Sequence, residues 1–345
     1  MAEAAAFMAP FERIAIDTEA DSLHSYYEKL CLIQISIPER DFLVDPLSDL
    51  PLLPLFDALA GKELVIHGAD FDLRLLRRAG QQTTPRVFDT MIAARLTGRF
   101  EFSLSALITE LFGVVLTKSS QKANWGLRPL PSKMADYAVN DTRYLLPLAG
   151  ILEAELRALG RWEWLQESCV RVAQFSAITR ERDVDNAWRV AGSSELDRKG
   201  AAVLRALWHW REEEARNVDR PPFHILRSEE LVEAAARLTR GEPVEFRHLS
   251  GSRRKRFYSS AEAALALPEA EWPIRPLRVR VRPTPEEEQR FRALKSERDR
   301  VAADLRLDPS LIAPKAALEA VAANREEGAR KLLPWQRELL QLSDG

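Results

Sequence analysis

The first place where this sequence could support chemistry is a short apolar run that ends in two carboxylates. Residues 13–16 lead directly into Asp17 and Glu19, which are separated by one residue. Side chains alternate between faces along a β-strand, so both carboxylates would point the same way. Like charges this close repel each other unless a cation lies between them, and hard carboxylate oxygens suit Mg²⁺ or Mn²⁺. The alternative is an ordinary strand that runs into an acidic turn.

Three further side chains extend this pattern. Asp72 would lie at the start of a helix, just after a strand that ends at His67, and Tyr137 and Asp141 are four residues apart on one face of a predicted helix. Four carboxylates can hold two divalent cations about 3.5–4 Å apart, an arrangement that supports in-line phosphoryl displacement. A tyrosine hydroxyl near the attacking water could position it by hydrogen bonding.

Each of these residues also has a structural interpretation. Asp72 could serve only to stabilise the first turn of its helix through the helix dipole. Tyr137 and Asp141 could be a hydrogen-bonded pair on the surface, and His67 could make a structural hydrogen bond at a strand end. Taken singly, the structural interpretations are as good as the catalytic one. Their joint occurrence in one region favours a metal-dependent hydrolytic site.

The elements that must position these side chains follow from apolar periodicity and turn residues. The sequence predicts strands over residues 13–19, 30–37, 41–45, 64–67 and 87–88. It predicts helices over residues 52–59, 71–78, 90–96, 104–112, 131–156 and 162–177, with a kink or break at Pro147 in the fifth of them. Asp89 and Ser103 are predicted caps, and Gly113 a predicted helix end. Strands followed by alternating strands and helices indicate an α/β sheet with mixed strand directions.

The second half of the chain has a helical pattern. One long helix is predicted to have an apolar stripe on one face and charged residues on the opposite face. The apolar stripe is formed by Leu204, Leu207, Trp208 and Trp210. A basic stretch follows, which would suit phosphate contacts or could be a solvated charged turn: Arg253, Arg254, Lys255 and Arg256.

Proline and arginine then mark residues 263–285 as an extended linker, with Arg278, Arg280 and Arg282 alternating with apolar residues. A last helical segment covers residues 286–345 and turns at Asp308-Pro309. The two helical regions look like a degenerate duplication.

Composition narrows the class of protein. The chain has 345 residues, 46% of them hydrophobic, and a formal net charge of −2, which predicts two or three domains and limits any nucleic-acid surface to a local patch. The two cysteines have no metal-binding spacing, and Cys31 is predicted to be a buried thiol. Because no apolar run approaches membrane-spanning length and the N-terminal residues lack a basic signal-peptide region, we expect a cytosolic protein with no membrane contact.

Several segments resemble the ribonuclease D family of DEDD-type 3′→5′ exonucleases. The segments that look like the family's three acidic motifs are Asp17-Thr18-Glu19, His67-Gly-Ala-Asp-Phe-Asp72-Leu and Asp136-Tyr137-Ala-Val-Asn-Asp141. The segment from Gln121 to Leu130 resembles the one that precedes the third motif. The stretches 206–211 and 220–225 look like an HRDC domain, the helical nucleic-acid-binding module of this family. Residues 294–300 and 307–312 resemble its second copy, without the Pro-Pro pair.

The resemblance implies an RNase H-like exonuclease domain over residues 1–180, an HRDC domain over 195–262, and a divergent HRDC-like domain over 286–345. It implies two Mg²⁺ or Mn²⁺ ions held by Asp17, Glu19, Asp72 and Asp141, with Tyr137 as a fifth catalytic residue. It further implies an active monomeric exoribonuclease that trims 3′ ends of structured RNA such as tRNA precursors and releases nucleoside 5′-monophosphates.

Two other functions remain open. A DNA 3′→5′ exonuclease could use the same carboxylates, since no residue indicates a contact to a 2′-hydroxyl. A non-catalytic RNA-binding scaffold is the alternative outside enzymes. The complete set of carboxylates argues against a scaffold, because loss of one ligand would be enough to lose the metal.

Overall fold

The computed structural model describes residues 2–116, 120–178, 183, 185–274 and 282–342. The chain divides into two compact units. We call the first the sheet unit: Met1–Ala20, Leu30–Thr179 and Val281–Gly345. We call the second the helical unit: Asp21–Lys29 and Arg180–Arg280.

A mixed five-stranded sheet forms the centre of the sheet unit, as predicted. Its strands are β1 (Arg13–Ala20), β2 (Leu30–Ile37), β3 (Arg40–Val44), β4 (Glu63–Ile66) and β5 (Arg86–Asp89). They lie in the order β3-β2-β1-β4-β5. β1 pairs antiparallel with β2 and parallel with β4, so it is the strand at which the sheet changes direction.

The central position of β1 explains its sequence. Ile14, Ala15 and Ile16 are completely buried, which is typical of a strand covered on both faces. The apolar run stops where Asp17 and Glu19 begin, so the two carboxylates lie toward the end of the strand. They keep the alternation that places them on one face.

Apart from the sheet, the regular structure of the described residues is almost entirely helical. In chain order they are α1 (Ala2–Met8), α2 (Leu53–Leu59), α3 (Asp70–Arg78), α4 (Thr90–Leu96), α5 (Leu104–Phe112), α6 (Ser132–Arg143), α7 (Leu145–Ala158), α8 (Trp162–Ser176), α9 (Arg198–Asn217), α10 (Pro222–Ile225), α11 (Ser228–Thr239), α12 (Gly251–Leu265), α13 (Pro285–Leu305), α14 (Pro309–Ile312), α15 (Lys315–Ala323), α16 (Arg325–Ala329) and α17 (Pro334–Leu339). None of the helices in the described residues is both long enough and apolar enough to cross a bilayer.

Local sequence predicts several helix ends correctly. Asp89 accepts hydrogen bonds from the first backbone N–H groups of α4, Ser103 does the same for α5, and Gly113 ends α5 in the left-handed conformation. The predicted helix over residues 131–156 breaks at Tyr144. Pro147 then falls in the first turn of α7, where a missing N–H leaves no hydrogen bond unmade.

Helix α1 is not among the predicted elements. Its alanine-rich sequence has high helix propensity, but it is only seven residues long and would be marginal in isolation. Burial supplies the missing stability, because Met8 is completely buried in the core of the sheet unit.

The helical unit has its own hydrophobic core. Trp208 and Trp210 of α9 are buried in it, as expected for members of the predicted apolar stripe. The predicted charged reverse face of α9 is wrong in part, because Glu212 and Glu214 are also buried. Glu212 accepts a hydrogen bond from the Tyr26 hydroxyl at 3.1 Å, which compensates some of its lost hydration.

The predicted linker also changes at its start. α12 continues to Leu265, and a single 3₁₀ turn covers Glu269–Glu271, so residue 263 is inside a helix. Residues 275–281, with Arg278 and Arg280, lie outside the described residues.

The last five helices, α13 to α17, share the core of the sheet unit instead of building one of their own. Leu318 and Trp335 belong to the same hydrophobic cluster as the central strands. The rings of Trp335 and Trp164 stack at a centroid distance of 4.8 Å, and Arg161 donates hydrogen bonds to the carbonyls of Leu96 and Leu305. Like α9, α13 is followed by a four-residue helix that begins at proline. A second HRDC-like domain over residues 286–345 stays a prediction.

Because of this shared core, the Trp335→Ala substitution should destabilise the sheet unit. Trp335 is 2% exposed, and truncating a buried tryptophan to alanine costs about 3–5 kcal/mol. We expect a clear drop in the thermal midpoint of the full chain. The exposed Glu338→Ala, on the same helix, serves as the control and should be neutral. Equal midpoints for the two variants would contradict a shared core.

Candidate active site

Three carboxylates from two elements meet at one end of β1. One oxygen from each of Asp17, Glu19 and Asp141 lies within 4.8 Å of the others. The first two come from β1 and the third from α6. The structure therefore brings together three of the four predicted metal ligands, although Asp17 and Asp141 are 124 positions apart in the sequence.

Helix α6 is fixed against the sheet by polar contacts on both sides of Asp141. The hydroxyl of Thr142 is hydrogen-bonded to that of Ser36 on β2 at 2.7 Å, and both are buried. Before the helix, the Arg128 guanidinium donates to the carbonyls of Cys31 and Trp125 at 2.7 and 2.9 Å. These contacts tie the entry to α6 and its last turn to the sheet, which sets the position of Asp141.

Asp72, the fourth predicted ligand, faces the same cleft but lies outside the cluster of three. It is buried near the start of α3. Its Oδ1 accepts hydrogen bonds from the Thr18 hydroxyl and from the Thr18 backbone N–H, the latter at 3.1 Å. Thr18 lies between Asp17 and Glu19, so Asp72 is anchored to the strand that carries the other carboxylates.

Burial raises the pKa of every carboxyl group in the cluster, and repulsion between the charges raises those of Asp17 and Glu19 further. Desolvation is the main cause, and it raises the pKa of Asp17 and of Asp141 to about 7. Glu19, desolvated and close to Asp17, Asp141 and Asp72, has a pKa raised to about 10. The pKa of Asp72 is also well above its ordinary value, through desolvation and then the charge of Asp17.

These residues fit divalent cations. The donors are hard oxygens, and the described residues that line the cleft include no lysine or arginine to neutralise them. Buried carboxylates that lack a cationic partner must either keep protons or bind a metal ion. The arrangement therefore meets the chemical requirements for Mg²⁺ or Mn²⁺ held by Asp17, Glu19 and Asp141, with Asp72 at the margin.

Tyr137 lies one helical turn before Asp141 and is hydrogen-bonded to it. Its ring packs against Trp125, with centroids 6.1 Å apart, and Trp125 is 1% exposed. Desolvation and the nearby charges of Asp141, Glu19 and Asp17 raise the pKa of the Tyr137 phenol. The hydroxyl thus keeps its proton at neutral pH, donates it to the Asp141 carboxylate, and can accept a hydrogen bond in the cleft.

The turn after β4 forms another wall of the cleft. Gly68 has φ +80°, a left-handed conformation that favours glycine, and a Cβ there would lie 3.3 Å from the end of the Met91 side chain. The Asp89 carboxylate accepts hydrogen bonds from the Gly68 and Ala69 backbone N–H groups at 3.0 and 2.8 Å. Asp89 therefore holds this turn as well as capping α4, a second role that its cap position did not indicate.

His67 makes a hydrogen bond within the fold, in agreement with its structural interpretation. Its Nδ1 lies 3.0 Å from the Thr90 hydroxyl, which itself donates to the Ile66 carbonyl. Because that hydroxyl has only one proton, Nδ1 must be the donor. Burial lowers the pKa of His67, so the ring is neutral at pH 7.

The cleft has a volume of about 550 Å³ and an apolar wall that the sequence analysis missed. The wall is made by Phe71, Met91, Phe102, Leu104 and Leu116. These residues come from four separate segments. Their periodicity would at best have marked them as core residues, and only the tertiary structure brings them to the carboxylates.

The predicted basic stretch lies on α12 in the helical unit and not in a turn. Two of its members are engaged by a buried carboxylate: Arg253 and Arg256 both pair with Glu214, with contacts of 3.1 Å from Arg253 Nε and 2.9 Å from Arg256 Nη2. Arg254 and Lys255 have no ion pair among the described residues. If this stretch contacts phosphates, these two side chains are the better candidates.

Comparison with known proteins connects this geometry to a family. A family model described as 3′-5′ exonuclease matches residues 1–157, and an HRDC domain model matches residues 200–255. The ribonuclease D of Pseudomonas paraeruginosa is 30% identical over 345 residues, which cover 94% of this chain and 89% of that protein. The chain belongs to the ribonuclease D family. The family predicted from the motifs is thereby confirmed.

Other ribonucleases D match over a shorter length. The enzyme of Desulfotalea psychrophila is 34% identical over 238 residues, which cover 68% of this chain and 64% of that protein. The match covers 57% to 64% of the length of this and two further ribonucleases D, so the chain spans less than two thirds of these relatives.

The crystal structure of Escherichia coli RNase D, described as an exoribonuclease involved in structured RNA processing, superposes with a TM-score of 0.71 at 26% identity, over 100% of this chain and 97% of that one. The fold of the described residues is therefore similar to that of this RNase D, and the similarity includes the helices after residue 284.

The raised pKa values predict how this ribonuclease D homologue should bind cations. At pH 6 the Asp17 and Asp141 carboxyls, with pKa values of about 7, are mostly protonated, so a divalent cation must displace protons. We expect Mn²⁺ affinity, measured by calorimetry, to rise by about 10–100-fold from pH 6 to pH 8. Affinity that does not depend on pH would contradict a site at these carboxyls.

The same groups set the pH dependence of stability without metal. Unfolding returns the carboxyls to pKa values near 4, so the folded state holds more protons between pH 4 and pH 7. The free energy of unfolding should then fall as the pH rises through this window. Asp17→Asn should have a flatter profile over the same range.

Proposed function

We propose that this chain is a 3′→5′ exoribonuclease that hydrolyses structured RNA from its 3′ end, with tRNA precursors among its substrates, and releases nucleoside 5′-monophosphates. The observation that carries the proposal is the cluster of Asp17, Glu19 and Asp141, whose oxygens lie within 4.8 Å in a cleft. The printed description of the Escherichia coli relative as an exoribonuclease for structured RNA supports the choice of substrate.

The reaction is a phosphodiester hydrolysis. A P–O bond forms to a water oxygen, and the bond from phosphorus to the 3′ oxygen of the preceding nucleotide breaks, which frees the terminal nucleotide with its 5′-phosphate. Divalent cations, when bound, make water a stronger nucleophile and stabilise negative charge on the leaving oxygen. Asp17, Glu19 and Asp141 would hold these cations, and Asp72, fixed by Thr18, would complete the set.

Tyr137 would orient the attacking water. Its pKa is raised and its hydroxyl is protonated at neutral pH, so it acts as a hydrogen-bonding group and not as a base. Trp125 packs against the ring and Asp141 bonds the hydroxyl, which leaves the phenol little freedom to move. A fixed hydroxyl beside the cation ligands is suited to positioning a water molecule.

The apolar wall of the cleft suits the 3′-terminal base. Aromatic and apolar side chains bind bases by stacking without selecting among them, and Phe71 lies directly beside Asp72 on α3. A base held there would bring its own phosphate toward the carboxylates.

The helical unit would bind the body of the RNA. It carries the HRDC match over residues 200–255, and Arg254 and Lys255 on α12 have no ion pair among the described residues. Phosphate contacts by such side chains are salt-dependent and do not depend on RNA sequence.

Degradation of a 5′-labelled tRNA-like RNA with a 3′ extension, in Mg²⁺ and beside single-stranded DNA of matched sequence, tests the proposal. The full chain should shorten the RNA from its 3′ end and release 5′-monophosphates. Asp17→Asn should abolish hydrolysis, because a ligand loses its charge, and should leave RNA affinity unchanged or higher. Near-normal turnover by this variant would rule out the site. Faster degradation of the DNA than of the RNA would indicate a DNA exonuclease. RNA binding without any hydrolysis would indicate a non-catalytic scaffold.

Replacement of one oxygen atom tests the role of Tyr137. Tyr137→Phe keeps the ring against Trp125 and removes only the hydroxyl. We expect kcat to fall by about 10²–10⁴-fold, the usual contribution of a positioned proton-handling group, while substrate affinity changes little. An unchanged kcat would assign Tyr137 a purely structural role.

Two double variants separate phosphate binding from folding on α12. Arg254→Ala with Lys255→Ala should weaken RNA binding, reduce the slope of log affinity against log salt by about one unit per lost contact, and leave the thermal midpoint unchanged. Arg253→Ala with Arg256→Ala should instead cost about 1–3 kcal/mol of stability, because the buried Glu214 carboxylate loses both partners. Identical RNA affinity and salt slope in the first variant and the wild type would exclude this surface from RNA binding.

A further inference from the structure

Gln34 is a buried amide whose hydrogen-bonding groups are unused. It lies in the middle of β2 with 0% exposure, and neither Oε1 nor Nε2 has a hydrogen-bond partner among the described residues. Buried amides are nearly always hydrogen-bonded, because an unpaired one loses its contacts to water and gains nothing in return. An apolar residue of similar size would fill this position with a smaller loss of folding free energy. We therefore looked for a partner of the amide among the neighbouring groups.

The register of the sheet puts Gln34 directly opposite Asp17. β1 and β2 run antiparallel, with Asp17 paired to Gln34 and Ala15 paired to Ser36. Residues opposite each other in an antiparallel pair point to the same face, with Cβ atoms about 4.5–5.5 Å apart. The Gln34 carboxamide therefore shares a face with the Asp17 carboxylate, and its side chain is long enough to reach it.

A second contact identifies that face as the one under α6. Ser36, two residues beyond Gln34 and thus on the same side of β2, is hydrogen-bonded to Thr142 of α6. Asp141, the residue before Thr142, brings its carboxylate to Asp17. Gln34 is therefore enclosed by the two elements that supply the carboxylates, and it lies next to the cluster.

We propose that Gln34 is a positioning residue for Asp17: its Nε2–H group donates a hydrogen bond to the Asp17 oxygen that a bound divalent cation leaves free, and so holds the carboxylate in its cation-binding orientation. A carboxylate that binds a cation through one oxygen keeps acceptor capacity on the other. Hydrogen-bonded partners behind metal ligands orient them and increase affinity.

An amide suits this position better than a charged donor. A lysine or arginine side chain would neutralise the Asp17 carboxylate without a metal ion, and it would therefore compete with the divalent cation. The amide has no charge, so it orients the carboxylate and leaves the charge to the cation. The inference rests on the proposed function only in taking Asp17 as a cation ligand.

Mn²⁺ binding and cation-free stability of the full chain test the proposal together. In Gln34→Met, which is similar in length and cannot hydrogen-bond, we expect Mn²⁺ affinity by calorimetry to fall by about 10–100-fold, with a thermal midpoint equal to or above that of the wild type. The matched control is Gln336→Met, the same substitution at a buried amide of α17 that does not line the cleft. It loses the hydrogen bonds to the Leu311 carbonyl and from the Leu333 backbone N–H, so its midpoint should fall, while its Mn²⁺ affinity should stay within a factor of two to three of wild type.

Wild-type Mn²⁺ affinity in Gln34→Met would overturn the proposal. If that variant does not fold, Gln34→Leu takes its place, and failure of both to fold would show that the amide is needed for folding and would also overturn it. The proposed function fails separately, when the wild type does not bind Mn²⁺ or when Asp17→Asn binds it equally well. Loss of Mn²⁺ binding in Asp17→Asn with wild-type affinity in Gln34→Met would reject the role of Gln34 alone.

Discussion

The sheet unit holds several carboxylates close together and partly out of water, against their mutual electrostatic repulsion. Asp17, Glu19 and Asp141 have oxygens within 4.8 Å of one another, and desolvation raises the pKa of each. Bringing such groups together is unfavourable until protons or divalent cations offset their charge. The energy needed to hold them must come from the parts of the fold around them.

The surrounding structure resists relaxation of the cluster at several points. β1 is the central strand and is completely buried before its acidic end, so it cannot shift without exposing apolar surface. Arg128 and the Ser36–Thr142 hydrogen bond fix α6 to the sheet. Asp89 ties the turn after β4 to the start of α4. A site that is rigid before the cation binds loses little entropy when binding occurs, which favours both affinity and correct orientation.

Much of this arrangement follows from local sequence. The alternation in β1, the caps at Asp89 and Ser103, and the i,i+4 relation of Tyr137 to Asp141 depend on neighbouring residues only, so their patterns identify them. The same reasoning located Asp72 at a helix start. Family motifs then linked segments that periodicity alone could not have brought together.

The features that escaped prediction depend on contacts distant in sequence. Glu214 has the pattern of a surface residue, and its burial depends on Arg253 and Arg256, about 40 positions later. The helices after residue 284 have the pattern of an independent domain, but their apolar residues complete the core of the sheet unit. Gln34 interrupts an apolar strand without any local reason. Its position opposite Asp17 depends on strand register, which a single sequence does not reveal.

Anomalous diffraction from crystals grown in saturating Mn²⁺ would show whether the carboxylates at the end of β1 form a divalent cation site. We expect an anomalous peak within coordination distance of the Asp17, Glu19 and Asp141 carboxylates, and no such peak in crystals of Asp17→Asn. Crystals of an active preparation with manganese bound only elsewhere, or with a peak unaffected by the Asp17→Asn substitution, would contradict it.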